Sequence, residues 1–140
     1  MSFTTDSCGF YDSNVWLYGY TDEVSDSKRS VAMRLAALQH VCLSSQVVNE
    51  VISNILKARL RTETEVRRLI DGLYSDYVVL EILREDIQTA SELREEYRFS
   101  YWDSLIVATV FRAKAEVLYS EDMQDSLQVR GLMTIRNPFR

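Results

Sequence analysis

The chain has 140 residues, 46% hydrophobic and 26% charged, with a net charge of −5. This length suits one domain with one core, and the composition excludes a disordered or low-complexity chain. The acidic balance excludes a passive nucleic-acid binder, which needs a broad basic face, but allows an enzyme in which metal ions and a local basic patch meet a polyanion. No apolar run approaches the length of a membrane span, so no membrane partner is expected. The N-terminus lacks a basic stretch followed by an apolar one, so no signal peptide is expected. Cys8 and Cys42 lack zinc-site spacing, and two cysteines make a sparse disulfide framework. Reduced cysteines and a cytoplasmic setting are the expectation.

Residues 1–8 read as a flexible lead-in to a single domain over 9–140. Gly9 to Asp12 reads as a first strand, and Ser13 and Asn14 suit the turn after it. Val15 to Tyr18 continues apolar as a short helix. Thr21 to Ser27 is a polar loop. Apolar positions Val31, Met33, Leu35, Ala36 and Leu38 place an amphipathic helix over Lys28 to His40. Val41 to Leu43 is a brief buried strand. Ser44 or Ser45 then caps a helix carrying Val47, Val48, Val51, Ile52 and Ile55. Thr62 or Thr64 opens the next helix, which ends near Gly72 and Tyr74. Tyr77 to Leu80 is a third strand, Asp86 to Tyr97 a helix, and Ser100 to Lys114 a more apolar helix. Glu116 to Tyr119 is a fourth strand, Asp125 to Arg130 a turn or helical stub, and Leu132 to Ile135 a last strand. Strands alternating with helices predict an α/β fold with a parallel sheet covered on both faces.

Four carboxylates stand out on this framework. Asp12, Glu50 and Asp122 follow apolar runs that read as strands, and Asp103 opens a helix. In an open parallel sheet the carboxyl ends of the strands share one edge, so groups placed there meet in space. Four acids without a basic partner in the same segments repel one another, and a divalent cation removes that cost. Mg²⁺ and Mn²⁺ suit all-oxygen sites and can activate water for phosphodiester hydrolysis. Asn14, Ser45 and Ser120 lie beside the acids as neutral orienting groups. Singly, each acid has an ordinary use, as a turn former, an N-cap or a solvated helix residue. Lys57, Arg59, Arg61, Arg67 and Arg68 form a basic segment that either contacts an RNA backbone or is a solvated face paired with Glu63 and Glu65. Tyr101 and Trp102 either stack on a base or, more commonly for aromatics opening an apolar helix, belong to the core. His40, the single histidine, reads as a helix-end residue.

Five segments in order, Gly9 to Tyr18, Leu43 to Glu50, Phe99 to Ile106, Leu118 to Asp125 and Asn137 to Phe139, resemble the PIN domain. They are most similar to the VapC-type toxins of bacterial toxin–antitoxin pairs. The resemblance implies a three-layer α/β/α domain around a central parallel sheet of about five strands. It also implies a Mg²⁺- or Mn²⁺-dependent endoribonuclease with Asp12, Glu50, Asp103 and Asp122 as catalytic and metal-binding acids, and Asn14 as the small polar residue beside them. A homodimer and a small antitoxin partner are further implications. The family often has glycine where Ser126 follows Gln124-Asp125.

Two other readings compete. A phosphoryl-transfer protein with an aspartyl nucleophile calls for Asp-x-Asp after the first strand, and position 14 is Asn. A catalytically silent PIN domain used for binding is disfavoured by the four intact acids.

Overall fold

The computed structural model describes residues 8–21, 25–38 and 40–140. Most of the expected lead-in and part of the expected loop over 21–27 lie outside the described residues. Six strands and six helices are described: β1 (Gly9–Tyr11), α1 (Ser13–Leu17), α2 (Asp26–Ala36), β2 (Val41–Ser44), α3 (Ser45–Lys57) and α4 (Glu63–Asp76); then β3 (Val78–Leu80), α5 (Arg84–Glu96), α6 (Tyr101–Arg112), β4 (Val117–Tyr119), β5 (Gln128–Val129) and β6 (Met133–Arg136).

The strands form one sheet in the order β3-β2-β1-β4-β6-β5. Five are parallel, as expected, and β5 is an antiparallel edge strand. This corrects the turn or helical stub anticipated over Asp125 to Arg130. A two-residue strand has no alternation to read, and it exists only because β6 offers it a partner. α4 also runs through Gly72 and past Tyr74, near which its end was expected, to Asp76. An internal glycine costs about 1 kcal/mol of helix propensity, which the buried Val66 and Leu73 on this helix's inner face offset.

The core sits where the parallel strands, apolar on both faces, meet the helices. Phe10, Leu43, Leu118 and Ile135, one from each of four adjacent strands, are completely buried, each contributing about 1.5–3 kcal/mol of transfer free energy. α6 is buried without interruption from Ser104 to Val110, so it is a central helix rather than an amphipathic surface one. Trp16, on the short helix after β1, is interior. Its indole Nε1 donates to the Tyr11 carbonyl at 3.1 Å.

Cys8 and Cys42 are joined by a disulfide, with Cα atoms 6.1 Å apart. This corrects the expectation that both cysteines are reduced. β1 and β2 run parallel with Phe10 opposite Cys42, which places Cys8 diagonally across from Cys42. That proximity comes from sheet register and cannot be read from cysteine spacing.

Ser126 occupies the left-handed region at φ +66°, the position where the resemblance leads one to expect glycine. Its backbone N–H donates to the Ile135 carbonyl at 2.8 Å, which ties the loop to β6 and holds the serine in this conformation.

Candidate active site

Sheet order positions the acids. β1 lies between β2 and β4, and the chain leaves β1 toward one edge through β2 and β3, then returns to β4 on the other side. That reversal is the switch point at which open α/β sheets form a crevice beyond their carboxyl ends. Asp12 leaves β1, Ser44 and α3 with Glu50 leave β2, and Ser120 to Asp122 leave β4. Asp103 enters the same edge from the first turn of α6, whose N-cap Ser100 accepts a hydrogen bond from the Asp103 N–H at 3.2 Å.

Asp12 is 4% exposed. Its Oδ1 accepts from the Ser13 N–H at 2.7 Å, and its Oδ2 accepts from the Ser120 hydroxyl at 2.8 Å. Asn14 organises the loop after β4: its Nδ2 donates to Asp122 Oδ2 at 3.0 Å, and its Oδ1 accepts from the Glu121 N–H at 3.3 Å. Two of the three anticipated supporting residues are thus in contact with the acids or their loop. Ser45 instead lines the groove beside Glu50, and Ser44 rather than Ser45 caps α3.

The site carries uncompensated negative charge. Burial raises the Asp12 carboxyl to about 6, against the lowering effect of the Ser120 and Ser13 hydrogen bonds and with the help of Glu50 and Asp103. Asp103 is raised too, first by burial and then by Glu50 and Asp122, while its hydrogen bond with Ser100 opposes the shift. The four acids therefore share one field.

Among the described residues the fold buries one other carboxylate, Asp86, and treats it differently. Arg112 Nε donates to both Asp86 oxygens at 3.0 and 3.1 Å. A buried carboxylate without a cation is costly, and the donors to Asp12 among the described residues, the Ser13 N–H and the Ser120 hydroxyl, are neutral. Ion pairs among the described residues lie elsewhere, such as Lys28–Glu121 and Arg130 with Glu92 and Glu96.

No group of three or more His, Cys, Asp or Glu side chains among the described residues converges tightly enough to enclose a metal. The donor set still fits a hydrated hard cation. Carboxylate oxygens fronted by hydroxyl and amide groups suit Mg²⁺ or Mn²⁺, which keep several waters and are held directly by one or two carboxylates.

Sequence reasoning missed Gln46. Its Nε2 donates to Glu50 Oε1 and to the Trp102 carbonyl, both at 3.1 Å, so it joins the helix of Glu50 to the first turn carrying Asp103. The i, i+4 spacing of Gln46 and Glu50 on one helix face was the available signal. Of the basic segment, Lys57 lines the groove beside Glu50. Arg61 is occupied by the carbonyls of Leu60 and Tyr20 at 2.8 and 3.2 Å. Arg67 reaches Thr64, Arg68 is exposed on α4, and Arg59 sits in the turn after α3. Tyr101 and Trp102, read as either base-stacking or, more commonly, core residues, are 48% and 61% exposed, which removes the core reading.

A mostly parallel sheet with acids gathered at its switch point defines an open α/β fold with an acidic crevice beyond its carboxyl edge. The chain belongs to the PIN domain family, whose model matches residues 10–127. Comparison with curated proteins finds no match. Among solved structures, it is similar to the Mycobacterium tuberculosis toxin VapC20, which cleaves the sarcin–ricin loop, at 20% identity and TM-score 0.65, covering 81% of this chain and 89% of that one. A toxin–antitoxin complex from Klebsiella pneumoniae is similar at 18% identity and TM-score 0.69, covering 93% and 97%. VapBC2 from Rickettsia felis, bound to a fragment of its promoter DNA, is similar at 18% identity and TM-score 0.66, covering 93% and 98%. At these identities the likeness speaks to the fold.

Proposed function

We propose that this protein is a Mg²⁺- or Mn²⁺-dependent endoribonuclease and the toxin of a toxin–antitoxin pair. The observation that carries the reading is Asp12: a buried carboxylate raised to about 6, facing Glu50 and Asp103, in a fold that gives its other described buried acid an arginine. Membership of the PIN family and the toxin–antitoxin structures among its neighbours support it.

In this reading Asp12, Glu50, Asp103 and Asp122 would hold the cation, which would supply an activated water and stabilisation of charge on phosphate oxygens. Ser120 orients Asp12, Asn14 orients Asp122, and Gln46 orients Glu50. Lys57 offers a backbone phosphate a positive charge at the end of the groove. An antitoxin segment has an apolar seat in the cavity of about 290 Å³ between α1 and α2, lined by Val15, Trp16, Tyr20, Met33 and Ala36. A homodimer completes the assembly, with sedimentation velocity as its direct check. An RNA substrate puts the action in the cytoplasm. There, reduction of Cys8–Cys42 leaves β1 and β2 paired through their backbones.

The test is cleavage of single-stranded RNA by the purified chain. Activity with Mg²⁺ or Mn²⁺, its loss in chelator and its recovery on adding back the ion are expected. Cleavage that persists in chelator, or that survives Asp103→Asn at full rate, contradicts the reading.

A further inference from the structure

A groove of about 710 Å³ runs along α3 away from the acids. Its floor is one helix face: Gln46, Asn49, Glu50, Ser53, Asn54 and Lys57, spaced three and four residues apart. From Gln46 to Lys57 the helix rises roughly 16 Å. The opposite wall is apolar and includes Ile87 and Trp102.

The two aromatics that open α6 are not equivalent. The Arg94 guanidinium lies 5.0 Å from the centre of the Tyr101 ring, so that ring already has a partner. Tyr101 and Trp102 meet edge to face, with planes at 88°, which leaves Trp102, 61% exposed, as the open indole of the groove. Trp102 also immediately precedes Asp103, and its carbonyl is held by Gln46, the residue that holds Glu50. An aromatic in the core is explained by packing. One that is mostly exposed, anchored through its backbone to the acid cluster and placed beside amides and a lysine, has the makings of a nucleotide subsite.

We propose that Trp102 is the stacking platform for an unpaired base next to the phosphate held at the acids, with the strand continuing along α3 toward Lys57. This rests on the nuclease reading of the same site. Single-stranded nucleic acid is the occupant that the features match. An aromatic face takes a base, Asn49 and Asn54, whose Nδ2 groups donate to the Ser45 and Glu50 carbonyls, offer their Oδ1 acceptors to base edges, and Lys57 meets a phosphate. Continuity with the acids places the base one step from the reacting phosphate.

The chain has two tryptophans, and Trp16 is buried, so fluorescence quenching on binding reports on Trp102. The experiment titrates a six-nucleotide single-stranded RNA, and the matching abasic ribose–phosphate chain, into the full chain carrying Asp12→Asn with Mg²⁺ present. Quenching by the RNA and not by the abasic chain is expected. Trp102→Ala should weaken RNA binding on the order of 10- to 100-fold, and Trp102→Phe should restore most of it. Equal binding of the two probes, or unchanged RNA affinity in Trp102→Ala, overturns the proposal. So does a Trp102→Ala change from dimer to monomer with RNA affinity intact, which would assign the ring to a second copy. Cleavage by the unmodified chain is measured separately: absence of cleavage with base-dependent quenching intact would count against the nuclease reading and not against the stacking site.

Discussion

Asp12 and Ser120 stand side by side one residue beyond the last registered pair of β1 and β4, Tyr11 opposite Tyr119, and the Ser120 hydroxyl donates to Asp12 Oδ2 at 2.8 Å. The backbone reinforces the pairing, since the Asp12 N–H donates to the Tyr119 carbonyl at 2.9 Å. The carboxylate is therefore fixed in direction while its charge stays uncompensated.

Replacing that charge should separate stability from activity. Asp12→Asn keeps the shape and removes an anion that burial, Glu50 and Asp103 all disfavour. The metal-free variant should melt at or above the unmodified protein. Its RNA cleavage should fall by at least about 100-fold, because loss of a supporting group alone typically costs 10- to 100-fold. Ser120→Ala should show that smaller loss. A clearly lower melting temperature for metal-free Asp12→Asn makes the residue structural.

Asp86 makes the opposite prediction. It is buried, it accepts from the Leu83 N–H at 2.8 Å at the start of α5, and Arg112 neutralises it. Arg112→Leu strands a buried anion and should destabilise the fold by about 3–5 kcal/mol in urea unfolding. The Arg112→Leu/Asp86→Asn pair should recover much of this. A single Arg112→Leu variant of normal stability would show that Asp86 does not depend on its arginine.

Ser126 carries a positive φ that a side chain disfavours. Ser126→Gly should relieve roughly 1 kcal/mol of backbone cost, partly offset by the greater freedom of glycine in the unfolded chain, for a net gain in stability. Denaturant midpoints of the two proteins decide it; a lower midpoint for the glycine variant contradicts the reading.

Lys57 lines the groove, whereas Arg67 points to Thr64 on its own helix. Lys57→Gln should weaken RNA binding and reduce the slope of log affinity against log salt by about 0.7, the value for one phosphate contact on a single strand. Arg67→Gln should leave the slope unchanged. Equal slopes for Lys57→Gln and the unmodified protein remove Lys57 from the binding path.

The parallel framework was readable because its signals are local. Short apolar runs at Val41 to Leu43 and Glu116 to Tyr119, each bounded by helical patterns, leave little choice of architecture. The caps of α3 and α4 were readable to within a pair of residues each, Ser44 or Ser45 and Thr62 or Thr64, and the structure uses Ser44 and Thr62. What was not readable depends on partners. β5 needs β6, and Cys8 needs the register of β1 on β2. The four acids were singled out by their shared place at strand exits and a helix start. Their mutual influence, above all the burial of Asp12 against a serine, required the β1–β4 pairing.

The central claim, a divalent cation held at the acid edge, is most directly tested by calorimetric titration of Mn²⁺ at two pH values. The folded pKa of Asp12, about 6, lies above its ordinary 3.8. The native state therefore binds a proton more tightly than the unfolded chain, and the metal-free protein loses stability as pH rises between those values. A cation competes with that proton. At pH 6 Mn²⁺ binding should release protons, detected as a dependence of the heat on the buffer's ionisation enthalpy. At pH 8 binding should be tighter with little release from Asp12, and Asp12→Asn should abolish the release at pH 6. Absence of Mn²⁺ binding at both pH values, or binding that Asp12→Asn leaves unchanged, would contradict the account.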